Sequence, residues 1–123
     1  MLLVYTSSLF LSVVVHAFHV QNAAYHHIFL IASVLSLAFH SQQQPHRLLH
    51  LTDFAFAHFA FVWVFRDLIS LELIREAWPF PALILALWIV EHLVPAHSVQ
   101  LHAGLHITAL ACVHYVLSRS KSQ

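Results

Sequence analysis

Two histidines four residues apart, His102 and His106, are the residues of this chain best suited to chemistry. They belong to a set of 13 histidines in 123 residues that are 60% hydrophobic and 8% charged. On a helix, side chains at this spacing project from one face, so both imidazoles can bind one metal ion. An imidazole among apolar neighbours needs a hydrogen-bond partner, a metal or water, because hydrocarbon satisfies neither ring nitrogen. The pair therefore predicts a metal site within a membrane.

Other polar side chains recur at helical spacing and could share a bundle centre with this pair. Three neutral histidines around Zn²⁺ leave a fourth coordination position for water, and the metal lowers the pKa of that water toward about 7. Asp53 could take the water's proton or orient a histidine, and Ser36 could hydrogen-bond a carbonyl oxygen or the water. This chemistry predicts a hydrolase. The two polar stripes are Ser33, Ser36 and His40, and His46, His50, Asp53 and Ala57.

The order of these motifs resembles the seven-helix membrane hydrolase superfamily of alkaline ceramidases, adiponectin and progestin receptors and myomaker-like proteins. Ser36-Leu-Ala-Phe-His40 looks like the Ser-x-x-x-His motif that ends the family's second helix. Asp53 stands where the family has an aspartate on its third helix, and His102-Ala-Gly-Leu-His106 resembles the His-x-x-x-His motif of its last helix. The resemblance implies Zn²⁺ held by His40, His102 and His106, with Asp53 and Ser36 supporting a bound water, and hydrolysis of a lipid amide or ester.

The resemblance covers residues 28–60 and 98–115, and the chain is shorter than the family pattern. The family has three spans between the aspartate helix and the last helix, where one is predicted here. Removing an even number of spans preserves direction, so the histidine motifs still emerge on one side of the membrane. A reduced bundle of five short helices is therefore expected, and pairing with another copy could complete its cavity.

The elements that must position these residues are apolar segments of membrane-spanning length. Mean hydropathy is +0.78, which is far above that of a soluble globule. A transmembrane helix needs about 17 to 25 residues, and no repeat or linker divides the chain. The sequence predicts one all-α domain, 1–123, a polytopic bundle of about five transmembrane helices. The predicted spans are 2–19, 23–41, 48–65, 79–95 and 99–117.

The few charges limit the partners and favour one orientation. Formal net charge is zero, with 5 Lys and Arg residues and 5 Asp and Glu residues, so no basic face exists to bind nucleic acid. Only Arg47 lies on one side of the predicted bundle, and the other four basic residues lie on the opposite side. Because cytoplasmic loops are enriched in Lys and Arg, the C-terminus is predicted to be cytoplasmic. The mixed segment 66–77 is expected to lie along the interface.

The remaining polar residues leave several interpretations open. Glu91, so close to an apolar span, needs a partner or a wet surface. Gly104 could admit a neighbouring helix or a substrate, although helix packing alone explains it equally well. Membrane lipids are the expected partners, and the alternatives to a hydrolase are a noncatalytic subunit of a larger membrane complex and a metal or proton transporter. Interfacial positions are favoured over a second metal or haem-type site for His16, His19, His26 and His27.

Overall fold

The computed structural model describes residues 2–42 and 47–121. Within these ranges the chain is helical and contains no β-strand, which confirms the all-α prediction. A 3₁₀ turn, Pro95–His97, precedes the last helix. The helices are α1 (Leu2–Ser8), α2 (Leu11–His19), α3 (Ala23–Ser41), α4 (Arg47–Ser70), α5 (Ile74–Ala77), α6 (Pro79–Leu93) and α7 (Ser98–Lys121).

The first predicted span is interrupted, whereas the sequence predicted one continuous helix. Leu9 and Phe10 separate α1 from α2, and the amides of Phe10 and Ser12 bond carbonyls three residues back, at 3.2 and 3.0 Å. This is the tighter 3₁₀ pattern. Hydroxyl groups compete with amides for backbone carbonyls here, since Ser8 Oγ donates to the Tyr5 carbonyl at 2.6 Å and Ser12 Oγ to the Leu9 carbonyl at 2.6 Å.

Four helical segments are long and apolar enough to cross a membrane, as expected for an integral membrane protein: Leu2–His19, Ala23–Ser41, Arg47–Ser70 and Pro95–Arg119. The fifth apolar helix, α6, has 15 residues and extends about 22 Å, less than the roughly 30 Å of a bilayer core. It begins with Pro79 at its first position, where proline costs no hydrogen bond. It ends at Leu93, two residues before Pro95, so it is shorter than the predicted span 79–95.

The segment predicted to lie along the interface consists of several elements. α4 continues to Ser70 and includes the first part of the segment. A turn follows in which Glu72 has a φ of 58°, a left-handed conformation that costs energy for a side chain with a Cβ. In the short helix α5, Glu76 Oε2 accepts from the Tyr115 hydroxyl at 2.7 Å and from Arg119 at 2.6 Å. These bonds hold the pKa of Glu76 below its ordinary value and tie α5 to α7.

The helices pack so that α7 contacts α1, α2, α4 and α6, and α3 lies against α1, α2 and α4. The core between them is apolar and includes Val13, Tyr25 and Leu117, each fully buried. Large apolar side chains such as Phe18 and Val62 remain exposed, which is typical of a surface that faces lipid. This arrangement brings the end of α3, the end of α6 and the starts of α1 and α7 to one end of the bundle.

Candidate metal centre

His40, His102 and His106 come together at that end of the bundle. One ring nitrogen from each lies within 4.8 Å of the others, and all three residues are half-buried. Ring centroids are 5.3 Å apart for His40 and His102, 5.5 Å for His40 and His106, and 4.6 Å for His102 and His106. The structure thus brings a residue at the end of one span close to two at the start of another, and the binding of a metal by these three residues stays a prediction.

Glu91 at the end of α6 orients His102. The Nδ1 atom of His102 lies 3.0 Å from Oε1 of Glu91, and the side chains are 32% and 18% exposed, respectively. A carboxylate accepts hydrogen bonds and does not donate them, so Nδ1 of His102 carries the proton. In the neutral ring, Nε2 then keeps a lone pair. A carboxylate bonded to the second nitrogen of an imidazole is a recurrent support of metal-ligating histidines.

Thr6 on α1 orients His106 in the same way. The Thr6 hydroxyl lies 2.9 Å from Nδ1 of His106 and donates its own proton to the Leu3 carbonyl at 3.3 Å. With the Thr6 hydroxyl donating to Leu3, its oxygen accepts from Nδ1 of His106. Phe10 packs edge-on against the same ring, with centroids 5.6 Å apart. His106 is therefore held as the tautomer whose Nε2 is free to bind a metal.

His40 contributes a ring nitrogen that is available to bind a metal ion. Its Nε2 is buried and has no hydrogen-bond partner among the residues that the structure describes. A buried polar atom without a partner costs about 1 to 3 kcal/mol, and a metal ion would satisfy it. Three imidazoles without an opposing cation form a donor set that suits zinc, copper or other borderline transition metals. The residues present therefore fit a bound transition metal.

The two residues predicted to support a bound water occupy different positions. Ser36 lies one turn before His40 on α3, and its hydroxyl is 2.7 Å from that of Ser7 on α1. Asp53 is half-buried near the start of α4 and does not belong to the cluster of converging nitrogen atoms. Their roles stay predictions. Of the polar stripe that leads to Asp53, His46 lies outside the described residues.

Sequence reasoning missed Thr6 and only partly anticipated Glu91. The signal for Glu91 was present, because a carboxylate in an apolar helix needs a partner, and His102 is that partner. Thr6 gave no such signal, since a threonine can bond its own helix and its contact with His106 spans 100 residues. Gly104 lies between His102 and His106 and faces Leu87 of α6.

Most other histidines are satisfied without the triad. The Nδ1 atoms of His27, His58 and His92 each lie 2.7 to 2.8 Å from a carbonyl oxygen four residues back on their own helix. His26 Nδ1 lies 3.3 Å from the Val14 carbonyl. His16 is different, because it contacts His114 at the other end of the bundle. The separation of the histidines into two groups therefore agrees with the alternating directions of the spans.

Comparison with known proteins adds no relative. The chain matches no family model, no curated protein and no solved structure.

Proposed function

We propose that this chain is an integral membrane protein that holds one zinc ion through His40, His102 and His106 and hydrolyses a lipid amide or ester. One observation carries the proposal: one ring nitrogen from each of the three histidines converges. In addition, Nδ1 of His102 and Nδ1 of His106 are engaged by other side chains, and Nε2 of His40 is buried without a partner among the residues described. Helices long and apolar enough to cross a membrane surround them. The resemblance of the Ser36–His40, Asp53 and His102–His106 motifs to the ceramidase and receptor superfamily supports the same function.

Each side chain has a defined task in this proposal. Zinc bound by three imidazoles supplies a Lewis acid and lowers the pKa of a coordinated water to about 7. Glu91 and Thr6 fix the two histidines of α7 as the tautomers that present Nε2 to the ion. Ser36 donates its hydroxyl to a carbonyl oxygen of the substrate. Asp53 accepts a proton or orients the attacking water.

A lipid substrate would reach this centre from within the bilayer. The exposed apolar side chains of the long helices place acyl chains beside the bundle. A shallow apolar groove of about 540 Å³ on α4 is lined by Leu51, Thr52, Ala55, Phe56 and Phe59. Apart from Thr52, its lining residues are apolar, so an acyl chain suits it.

The C-terminus is proposed to face the cytoplasm.

The first experiment measures bound metal in the detergent-purified protein by elemental mass spectrometry. We expect about one zinc per chain in the native protein and none in the His102→Ala or His106→Ala variant. The matched control is His58→Ala, because His58 is exposed and bonds only its own helix among the residues described. Zinc that persists in the His102→Ala variant, or is lost equally in the control, would contradict the assignment of the ligands.

The second experiment tests hydrolysis with a panel of fluorescent lipid amides and esters in mixed micelles. The native protein should release fatty acid, and Asp53→Asn should retain zinc but slow release. Full activity of Asp53→Asn would remove Asp53 from the mechanism. A zinc-loaded protein that hydrolyses no member of the panel, and that purifies only with other membrane proteins, would favour the noncatalytic subunit.

A further inference from the structure

A second group of polar side chains lies between α2 and α7, apart from the metal centre. It consists of Ser12, His16 and His114. His114 follows His106 by eight residues on α7, which is a rise of about 12 Å along the helix. His16 Nδ1 lies 2.8 Å from His114 Nδ1, and Ser12 Oγ lies 2.9 Å from His114 Nε2. Neither His16 nor His114 shares a contact with the triad in the structure as described.

The distance between the Nδ1 atoms of His16 and His114 indicates that the two rings share a hydrogen and not a metal ion. Imidazole nitrogens that share a tetrahedral zinc at 2.0 to 2.1 Å stand about 3.3 Å apart. The 2.8 Å separation of the two Nδ1 atoms is too short for that and is the length of a hydrogen bond. The rings stack with centroids 5.0 Å apart and planes 18° from parallel. Two nitrogens at this distance require one hydrogen between them.

The direction of each hydrogen bond follows from Ser12. Its hydroxyl donates to the Leu9 carbonyl at 2.6 Å, at the break between α1 and α2. Ser12 Oγ must therefore accept from the Nε2 of His114. In the neutral pair, His114 Nδ1 then accepts from the Nδ1 of His16, and the Nε2 of His16 is left with a lone pair. The chain of bonds ends at one basic nitrogen.

We propose that His16 and His114 form a site that binds one proton, shared between the two rings. The proton adds to Nε2 of His16 and forms an N–H bond, which makes that ring an imidazolium. The hydrogen between the two Nδ1 atoms can then cross from His16 to His114, so the charge moves to the second ring while His16 returns to neutral. The hydrogen bond between the two Nδ1 atoms and the one from His114 Nε2 to Ser12 Oγ persist throughout, and one positive charge is added to the pair.

Among the groups around the pair, the second imidazole ring is the one left to share the added positive charge. Of the titratable groups on the packed helices, His26 bonds the Val14 carbonyl, His27 bonds the Ala23 carbonyl and His19 is exposed. The buried hydroxyl of Tyr25 has no hydrogen-bond partner among the residues described. The neighbouring carboxylates have their own cations, since Asp67 lies 3.6 Å from Arg66 and Glu76 lies 2.6 Å from Arg119. Cys112 and Tyr115 are the remaining titratable groups of α7 near this end.

Two measurements test the pair. In protein with ¹⁵N-labelled histidine in nanodiscs, we expect a scalar coupling between one ring nitrogen of His16 and one of His114, lost in both His16→Gln and His114→Gln. Protons bound between about pH 8 and pH 5 are then counted by potentiometric titration. Because the pair takes one proton where two lone histidines take two, His16→Gln should leave the count unchanged. His27→Gln, the matched control, should leave the coupling in place.

Some results would overturn the site. Absence of the coupling in native protein, or a loss of one proton in His16→Gln, would show that the two histidines titrate independently. A second equivalent of zinc that disappears in His16→Gln would show a metal site instead. Retention of the zinc bound by the triad in the variant shows that the bundle is folded, and the coupling in native protein decides the question even if the triad binds no metal.

Discussion

The hydrogen bond between Glu91 and His102 allows a quantitative prediction for metal affinity. Glu91→Gln keeps the size and an acceptor oxygen but removes the charge. Hydrogen bonds to charged groups contribute about 1.5 to 3 kcal/mol and neutral ones about 0.5 to 1.5 kcal/mol. The difference of about 1 to 1.5 kcal/mol corresponds to about a tenfold loss of zinc affinity. Because the two side chains are 18% and 32% exposed, water screens part of the charge, and the low end of the range applies.

The assay is competition for zinc with a chromophoric chelator in detergent, which gives a Kd for each variant. The order expected is native, then Glu91→Gln about fivefold weaker, as about 1 kcal/mol gives, then Glu91→Ala up to about a hundredfold weaker, because Ala removes the acceptor as well. Glu72→Gln is the control, since Glu72 is an exposed carboxylate in the turn before α5. A Kd for Glu91→Gln within twofold of the native value would refute the argument that Glu91 holds the His102 tautomer.

Three further predictions concern neighbours of the metal centre. Thr6→Val leaves the Nδ1 hydrogen of His106 without an acceptor and should weaken zinc binding about tenfold in the chelator assay, with Thr6→Ser restoring it. Gly104→Ala places a Cβ 3.6 Å from Leu87 Cδ1, an ordinary contact, so it should retain zinc and stabilise α7 by about 0.5 to 1 kcal/mol, visible as a higher thermal midpoint. Ser7→Ala breaks the bond to Ser36 and should cost about 0.6 kcal/mol without changing the Kd for zinc; a weaker Kd would show that the serine pair supports the centre directly.

The sequence was sufficient to predict an all-α bundle of apolar helices and the convergence of His40, His102 and His106 at one end of it. Runs of apolar residues predict membrane spans because the bilayer sets their length, and alternate spans run in opposite directions. His40 at the end of one span and His102 at the start of another therefore had to lie at one side. The spacing of His102 and His106 fixed their common face.

The break within the first span and the length of α6 were not predictable in the same way. An apolar window averages over local hydrogen bonding, so Ser8 and Ser12 were counted as ordinary members of a continuous helix. Their bonds to backbone carbonyls favour the 3₁₀ turn at Leu9 and Phe10. The sequence also did not predict which helices lie side by side, since only the packed bundle shows that α1 and α6 flank α7.

The bonds between the first span and α7 have a consequence for biogenesis. Thr6, Ser12 and His16 find their partners on α7 at sequence separations of 100, 102 and 98 residues. Because the ribosome synthesises α7 last, the first span enters the membrane before these partners exist, and its polar groups then face lipid. Before α7 is present, the hydroxyls of Thr6 and Ser12 can donate to the carbonyls of Leu3 and Leu9, three residues back in the same span. His16 gains its nitrogen partner only when α7 inserts. Insertion of α7 is thus the step that completes both the histidine triad and the His16–His114 pair.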